Sequence, residues 1–355
     1  MPVTPQRRWY QFSLKALLVL MTLLCLGPGG YVAYEQRRAR QQKAAVLAIE
    51  EVGGLVRYDD RASVRSPMMR QILGDESFGN ALSVNFSGAS VTDDVLSNIS
   101  ALTNLKTLEF DKTQITDAAL VHLAELTNLE GLVLHDTKVT GTGLVNLAGL
   151  RKLQALSLSG SPVTDDGLEH LSRLQSLTHL NLKNTQITDS CLVRLACLSH
   201  LESLVLSNTQ VSGSGFVHFA SLKGLERLTL DNTQVTDDDL MYIATMSNLT
   251  HLFLENTRVT GTGFESHRFE RLRFLLLKNS QITDAGLAAI GGIKNLEFLD
   301  LESTQVTDVG LEHLSSLTKL SYLSLAGTRV TAAALVDLRR ARPNCMIPYR
   351  MQSKD

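Results

Sequence analysis

An eight-residue phrase recurs along the chain at a nearly fixed interval, and this feature decides most of what the chain can fold into. It reads TQITDAAL at 113–120, TKVTGTGL at 137–144, TQITDSCL at 185–192, TQVTDDDL at 233–240 and TQVTDVGL at 304–311. Aligned copies begin at Ala89, Thr113, Thr137, Ser161, Thr185, Thr209, Thr233, Thr257, Ser280, Thr304 and Thr328. Nine of the ten intervals are 24 residues, and the one from Thr257 to Ser280 is 23. Eleven copies in register predict a solenoid, in which each unit buries its apolar face only against its neighbours.

The two halves of each unit carry different periodicities. One half reads L-x-x-L-x-L-x-x-T, as in LQALSLSGS (153–161), LTHLNLKNT (177–185), LESLVLSNT (201–209) and LEFLDLEST (296–304). Leucines at alternate positions, such as Leu156 and Leu158, predict a strand with one buried face. Eleven stacked strands at ~4.8 Å spacing span roughly 50 Å. The octet is the other half. Its fourth letter is Thr or Ser throughout, from Thr92 to Thr331, and the next is usually Asp, as in Asp117, Asp165 and Asp308. A hydroxyl at an N-cap and a carboxylate in the first turn both suit a helix start. Leu120, Leu123 and Leu126 then follow at helical steps. The expected fold class is therefore α/β, with one parallel strand and one short helix per repeat. A column of small residues (Gly143, Gly167, Gly215, Gly263, Gly286, Gly310) in that helix costs helix propensity, which points to close approach between units.

The repeat L-x-x-L-x-L-x-x-T resembles the leucine-rich repeat family, with Thr or Ser where many members carry Asn, over residues 81–342. The order of an apolar segment, AIEEVGG, RYDD, ILGDESF and then Thr-Asp repeats resembles bacterial membrane-anchored leucine-rich-repeat proteins. The repeats alone are also similar to those of F-box leucine-rich adaptor proteins, but no F-box-like helical segment is present to support a ubiquitin-ligase role. The resemblance implies a non-enzymatic protein-interaction module that binds its partner on the concave sheet face.

On that face the early units offer small or polar residues: Ser83, Asn85, Gly131, Ala155, Ser157 and Ser159. Later units offer Arg227, His251, Phe253, Glu255, Phe274, Leu276, Lys278, Phe298, Asp300, Glu302 and Tyr322, which are the candidate partner-binding residues. In this register Phe274, Phe298 and Tyr322 fall side by side on adjacent strands. Exposed contiguous apolar surface marks an interaction site, and aromatics with Arg are the usual interface anchors. The alternatives are a flanking loop over these residues, side chains that simply fill the tight concave face, or an inert patch on a passive spacer of the cell envelope. The short repeat, 257–279, lies beside the patch and holds His267, Arg268 and Arg271 where others have Leu. It reads as sequence drift, a bend or a contact.

Composition narrows the alternatives. The 355 residues carry a net charge of −2, which argues against a nucleic-acid partner. Charge is uneven, with 11 Lys/Arg against 7 Asp/Glu in residues 1–80 and 23 against 29 beyond. Aromatic residues are only 5%, so aliphatic side chains must fill the core. Cys25, Cys191, Cys197 and Cys345 have no zinc-like spacing and read as small apolar filler. His122, His170, His218 and His313 share one repeat column, and His179 and His251 lie three units apart, so neither set predicts a metal site. No nucleophile–base grouping or phosphate-binding glycine loop is present. No cofactor, metal or catalytic residue is expected.

The ends differ from the array. Residues 1–13 form a basic segment, and 14–34 contain an uninterrupted apolar run, Ala16–Leu26. Trp9 and Tyr10 stand before it and Tyr31 and Tyr34 after it, half of all Trp and Tyr in the chain. A helix from Tyr10 to Tyr31 would rise roughly 31 Å, close to a bilayer core, and interfacial aromatics are placed that way. The expectation is a single-pass membrane anchor. A signal segment cleaved to give a secreted protein and a soluble apolar helix are the alternatives, and basic residues on both flanks leave the orientation open. Residues 35–80 read as a helical linker and N-terminal cap with a second short helix at 68–79, and 343–355 as a C-terminal cap and tail.

Overall fold

The computed structural model describes residues 14–59, 80–265 and 269–348, with the side chains of 14–29, Val32 and Glu265 outside that description. Among these residues twelve strands form one sheet in sequential order. β1 (Leu55–Tyr58) runs antiparallel to β2 (Ala81–Asn85). From β2 onward every pairing is parallel: β3 (Thr107–Glu109), β4 (Gly131–Val133), β5 (Ala155–Ser157), β6 (His179–Asn181), β7 (Ser203–Val205), β8 (Arg227–Thr229), β9 (His251–Phe253), β10 (Phe274–Leu276), β11 (Phe298–Asp300) and β12 (Tyr322–Ser324). From β3 onward the central leucine of each strand faces the core, so Leu180 pairs with Leu204, Leu204 with Leu228 and Leu228 with Leu252, all buried. The missing residue of the short repeat leaves this register intact, because Phe274 still pairs with His251 and Leu275 with Leu252. The deletion is absorbed between strands; His267 and Arg268 lie outside the described residues, and Arg271 donates to the Asn248 side chain at 2.8 Å.

One unit shows how the core is filled. Leu177, Leu180, Leu182, Ile187, Leu192, Leu195 and Leu198 are all buried, from strand, turn and helix in succession. Truncating one such side chain to Ala costs about 2–5 kcal/mol. Aliphatics dominate as composition requires, with Phe86 stacked on Phe110 at 5.2 Å near the start of the array. The first letter of each octet is also interior. Thr185, Thr209, Thr233 and Thr257 are buried and donate to the carbonyl three residues back at 2.6–2.7 Å.

Most of the predicted convex helices are short 3-10 helices, as at Asp117–Leu123 and Thr142–Leu147, while Asp237–Ile243 and Asp284–Ile290 are α-helical. A 24-residue circuit leaves too little chain for longer ones. The capping expectation holds at Thr116, Thr188, Thr283, Thr307 and Thr331, whose hydroxyls accept a first-turn N–H. It does not hold at Thr92, which caps nothing, or at Thr140 and Ser212, where Gly141 and Gly213 hold the cap position.

The repeated aspartate does more than complement a helix dipole. Each one reaches forward to the next unit. Asp93 accepts from the Thr116 N–H at 2.8 Å and its hydroxyl at 2.6 Å. Asp117 accepts from the Thr140 N–H and hydroxyl at 2.8 and 2.7 Å, and from Gly141 N–H and Gly143 N–H at 3.1 and 2.7 Å. The same link joins Asp165 to Thr188, Asp189 to Ser212, Asp237 to Thr260, Asp284 to Thr307 and Asp308 to Thr331. Burial pushes the Asp117 and Asp189 carboxyls up, but the converging donors outweigh it and hold both below the ordinary aspartate value. The small column follows from the same closeness. A Cβ at Gly143 would lie 2.6 Å from the Asp117 carbonyl oxygen. Where the aspartate is replaced by Gly141, Gly213 or Gly261 the link is absent, and Thr236 is served by Asp239 of its own unit at 2.8 Å.

The two ends of the array are covered differently. α1 (Leu14–Glu51) buries Ala45, Val46 and Ile49 over the first unit and stops at Gly53 and Gly54, whose N–H groups bond Glu50 and Ile49 carbonyls at 3.0 and 2.9 Å. Gly53 has φ +87°, the left-handed residue that such a stop needs. At the far end Met346 bridges to the free edge of β12, with the Leu323 N–H bonding its carbonyl at 3.0 Å. Cys191 and Cys345 are buried, but Cys197 is exposed at a turn, so the filler reading fails there. The basic segment 1–13, the second helix expected at 68–79 and the tail 349–355 lie outside the described residues. So do nearly all side chains of the expected anchor. Among the described residues no helix is long and apolar enough to cross a membrane.

Candidate partner-binding surface

Parallel pairing without register slip lines up equivalent positions across the sheet. The first residue of each strand gives the column Arg227, His251, Phe274, Phe298 and Tyr322. Four of its side chains form one continuous stack. His251 lies 4.3 Å from Phe274 with rings 2° from parallel, Phe274 lies 6.0 Å from Phe298, and Phe298 lies 4.1 Å from Tyr322 at 3°. All four are half-buried, and Arg227 beyond them is exposed. His251 belongs to the stack although its residue type does not announce it. Thr250 bonds its Nδ1 at 2.8 Å, and burial first, then the Arg227 and Arg273 charges, lower its pKa and favour the neutral ring.

Two residues further along each strand the column is Thr229, Phe253, Leu276, Asp300 and Ser324. Phe253 sets its ring edge-on to His251 at 6.3 Å. Beyond the strand ends lie Asp231, Glu255, Lys278 and Glu302. Asp231 accepts from the Glu255 N–H at 2.9 Å, and Lys278 pairs with Glu302 at 2.9 Å. Burial, then Asp231 and Asp300, raise the Glu255 carboxyl above its ordinary range, with only Lys278 opposing. Burial likewise raises Asp231. On the other flank Arg273 grips Glu297 with two bonds of 2.7 and 2.6 Å and holds its guanidinium 5.8 Å from the Phe274 ring centre. Arg273, Glu297 and Asp231 escape a reading confined to strand positions, although their repeat spacing marks them as neighbours of the column.

The early half of the same face is different in kind. Gly131, Ala155 and Ser157 expose little side chain, Asn85 bonds Glu109 at 2.7 Å, and Ser157 meets His135. Ser83 and Ser159 add only small polar groups. Among the described residues no group of three or more His, Cys, Asp or Glu could hold a metal ion.

A sequential parallel sheet with short turns behind it and a bare face in front defines a class: strand-and-turn solenoids that present one long sheet surface. The leucine-rich repeat region description matches residues 84–321, and the chain belongs to the leucine-rich repeat family. Among solved structures it is similar to an internalin from Listeria monocytogenes, with 24% identity over 75% of this chain and 79% of that one and a TM-score of 0.58. The functional domain of InlJ from Listeria monocytogenes gives 18% identity, 76% and 53% coverage and 0.55. The mouse RP105/MD-1 complex gives 18%, 74% and 46%, and 0.60. At these identities the likeness is one of fold. No curated protein sequence matches the chain.

Proposed function

We propose that this protein is a non-enzymatic interaction module that binds a protein partner on the concave face of its C-terminal half. The observation that carries the reading is the four-ring stack His251–Phe274–Phe298–Tyr322, a contiguous aromatic surface that the fold leaves half exposed. Desolvated aromatic anchors are the usual source of interface energy. RP105, of similar fold, is solved in complex with MD-1, which supports a protein as the class of partner. We further propose that 14–34 tethers the module to a membrane, from its apolar run and flanking aromatics. Extraction at alkaline pH, which strips peripheral proteins, leaves a tethered chain in the membrane pellet; release into the supernatant sinks the tether.

The binding reading is tested by affinity capture from native-cell fractions with the full-length chain in mild detergent. Wild type and a Phe274→Asp/Phe298→Asp variant are compared, after their far-UV spectra and melting points are shown to agree. A protein retained by the wild type and lost by the variant supports the reading. Specific partners held equally by both would sink it.

A further inference from the structure

Resting on the concave-face reading, we infer that the partner presents an extended segment combining apolar and cationic side chains, its apolar groups on the ring stack and its Lys or Arg groups on Asp300 and Glu255. The arrangement of the four rings decides what they can bind. His251–Phe274 and Phe298–Tyr322 stack face to face, Phe274–Phe298 lies 6.0 Å apart at 27°, and Arg273 already sits over the Phe274 ring, so the surface left to a partner is mainly ring edges. Edges carry the positive rim of the aromatic quadrupole and do not attract cations. The stack therefore takes apolar groups, and charge must be read elsewhere.

It is read beside the stack. Around strands β8 to β12 the concave surface and its rims carry Glu226, Asp231, Glu255, Glu297, Asp300 and Glu302 against Arg227, Arg273 and Lys278, while Lys183 and Lys319 act from outside this group on Asp231 and Glu297 and not on Asp300 or Glu255. Two of the three cations are already engaged, Arg273 with Glu297 and Lys278 with Glu302. Among the described residues the Asp300 carboxylate accepts only the Glu302 N–H, at 2.9 Å, and Glu255 has no ion-pair partner. An acidic segment would face these carboxylates at a like-charge cost, whereas a basic one supplies the missing counter-charge. The geometry suits one chain. Four rings on adjacent strands span roughly 14 Å at ~4.8 Å per strand, the length of about four extended residues. Asp300 stands two residues beyond Phe298 on the same strand, about 7 Å away along it, and Glu255 lies past Phe253 in the same direction.

The test is a support-bound array of short peptides with constant apolar content and varied charge, probed with the full-length chain at ~0.15 M salt. Basic peptides are expected to retain wild type about tenfold more than acidic ones. Glu255→Gln/Asp300→Asn is expected to cut that ratio at least about threefold while leaving neutral apolar peptides bound. Phe274→Ala/Phe298→Ala is expected to remove basic and neutral peptides alike. If the Phe variant loses all peptides but the carboxylate variant keeps the ratio, the concave-face reading stands and this inference falls. Retention of basic peptides that survives the Phe variant would place them elsewhere and also overturn it. So would wild-type self-association that the Phe variant abolishes without peptide retention, since the occupant is then a second copy of the chain.

Discussion

Asp117 and Glu255 are both half-buried carboxylates on the same lattice of repeats, and their surroundings drive them in opposite directions. Asp117, on the convex side, receives four donors from the next unit, and its pKa falls despite burial. Glu255, on the concave side, receives none among the described residues, and its pKa rises through burial first and then through Asp231 and Asp300 beside it. The repeated carboxylate is answered by the repeat itself, because the residue that needs it arrives 23 positions later in every copy. The unrepeated carboxylate has no such guarantee. A charge that the fold answers only in part, as Lys278 does for Glu255, is where something outside the fold can act.

The largest expected effect separates the faces outright. Phe274→Asp with Phe298→Asp should weaken partner binding by more than about 3 kcal/mol, a loss over a hundredfold, with little change in melting temperature. Asp117→Ala should do the reverse. It leaves the Thr140, Gly141 and Gly143 donors without their acceptor, at about 2–3 kcal/mol of stability, and should not alter partner affinity. Chemical denaturation and a binding titration on the same two variants decide it. If Asp117→Ala changed affinity as strongly as the Phe pair, the division of labour would be wrong.

A smaller effect asks whether the link between units can be installed by residue type alone. Gly141→Asp restores the consensus aspartate, yet Gly141 has φ +99° and a Cβ there would lie 2.8 Å from the Gly167 carbonyl oxygen. The substitution should destabilise by about 1–2 kcal/mol rather than add a rung. A rise in melting temperature would show that the backbone relaxes to accept it.

The comparison also marks where the sequence is readable. Period, strand register and the alignment of Phe274, Phe298 and Tyr322 are all consequences of 24-residue spacing, which a linear text displays directly. The partner of each aspartate is not displayed so plainly. Thr116 and Asp117 are adjacent, which suggests a local cap, while the stronger bonds run from Asp93 to Thr116 and from Asp117 to Thr140. Adjacency in sequence hid adjacency in space. The glycines offered a signal, since Gly141, Gly213 and Gly261 interrupt the aspartate column and Gly167, Asp239 and Gly286 follow in the next units. Ring stacking at His251 was invisible for another reason. A histidine's role depends on its protonation and orientation, and these are set by burial first, then by Arg227 in its own column and by Arg273 and Thr250 beside it.

The smallest effect is a matter of sign. Asp117 and Asp189 have lowered folded values, so their contribution is complete above the ordinary unfolded carboxylate value and is lost as pH falls through the folded one. Asp231 and Glu255 have raised folded values, so the folded state holds the ionised form at a cost. Their contribution is complete below the unfolded value and is lost as pH rises through the folded one. The melting temperature should therefore climb slightly as pH falls from 7 through the raised values, then drop below about pH 4. Glu255→Gln should raise stability at pH 7 by less than about 1 kcal/mol and flatten the climb, while Asp117→Asn should spare the climb and reduce the drop. A Glu255→Gln variant less stable than wild type at pH 7 would mean that this carboxylate already has a favourable partner within the fold. A basic partner adds a further constraint. It stabilises the ionised form, so binding should weaken as pH falls through the Glu255 folded value, over the range in which the free protein gains stability.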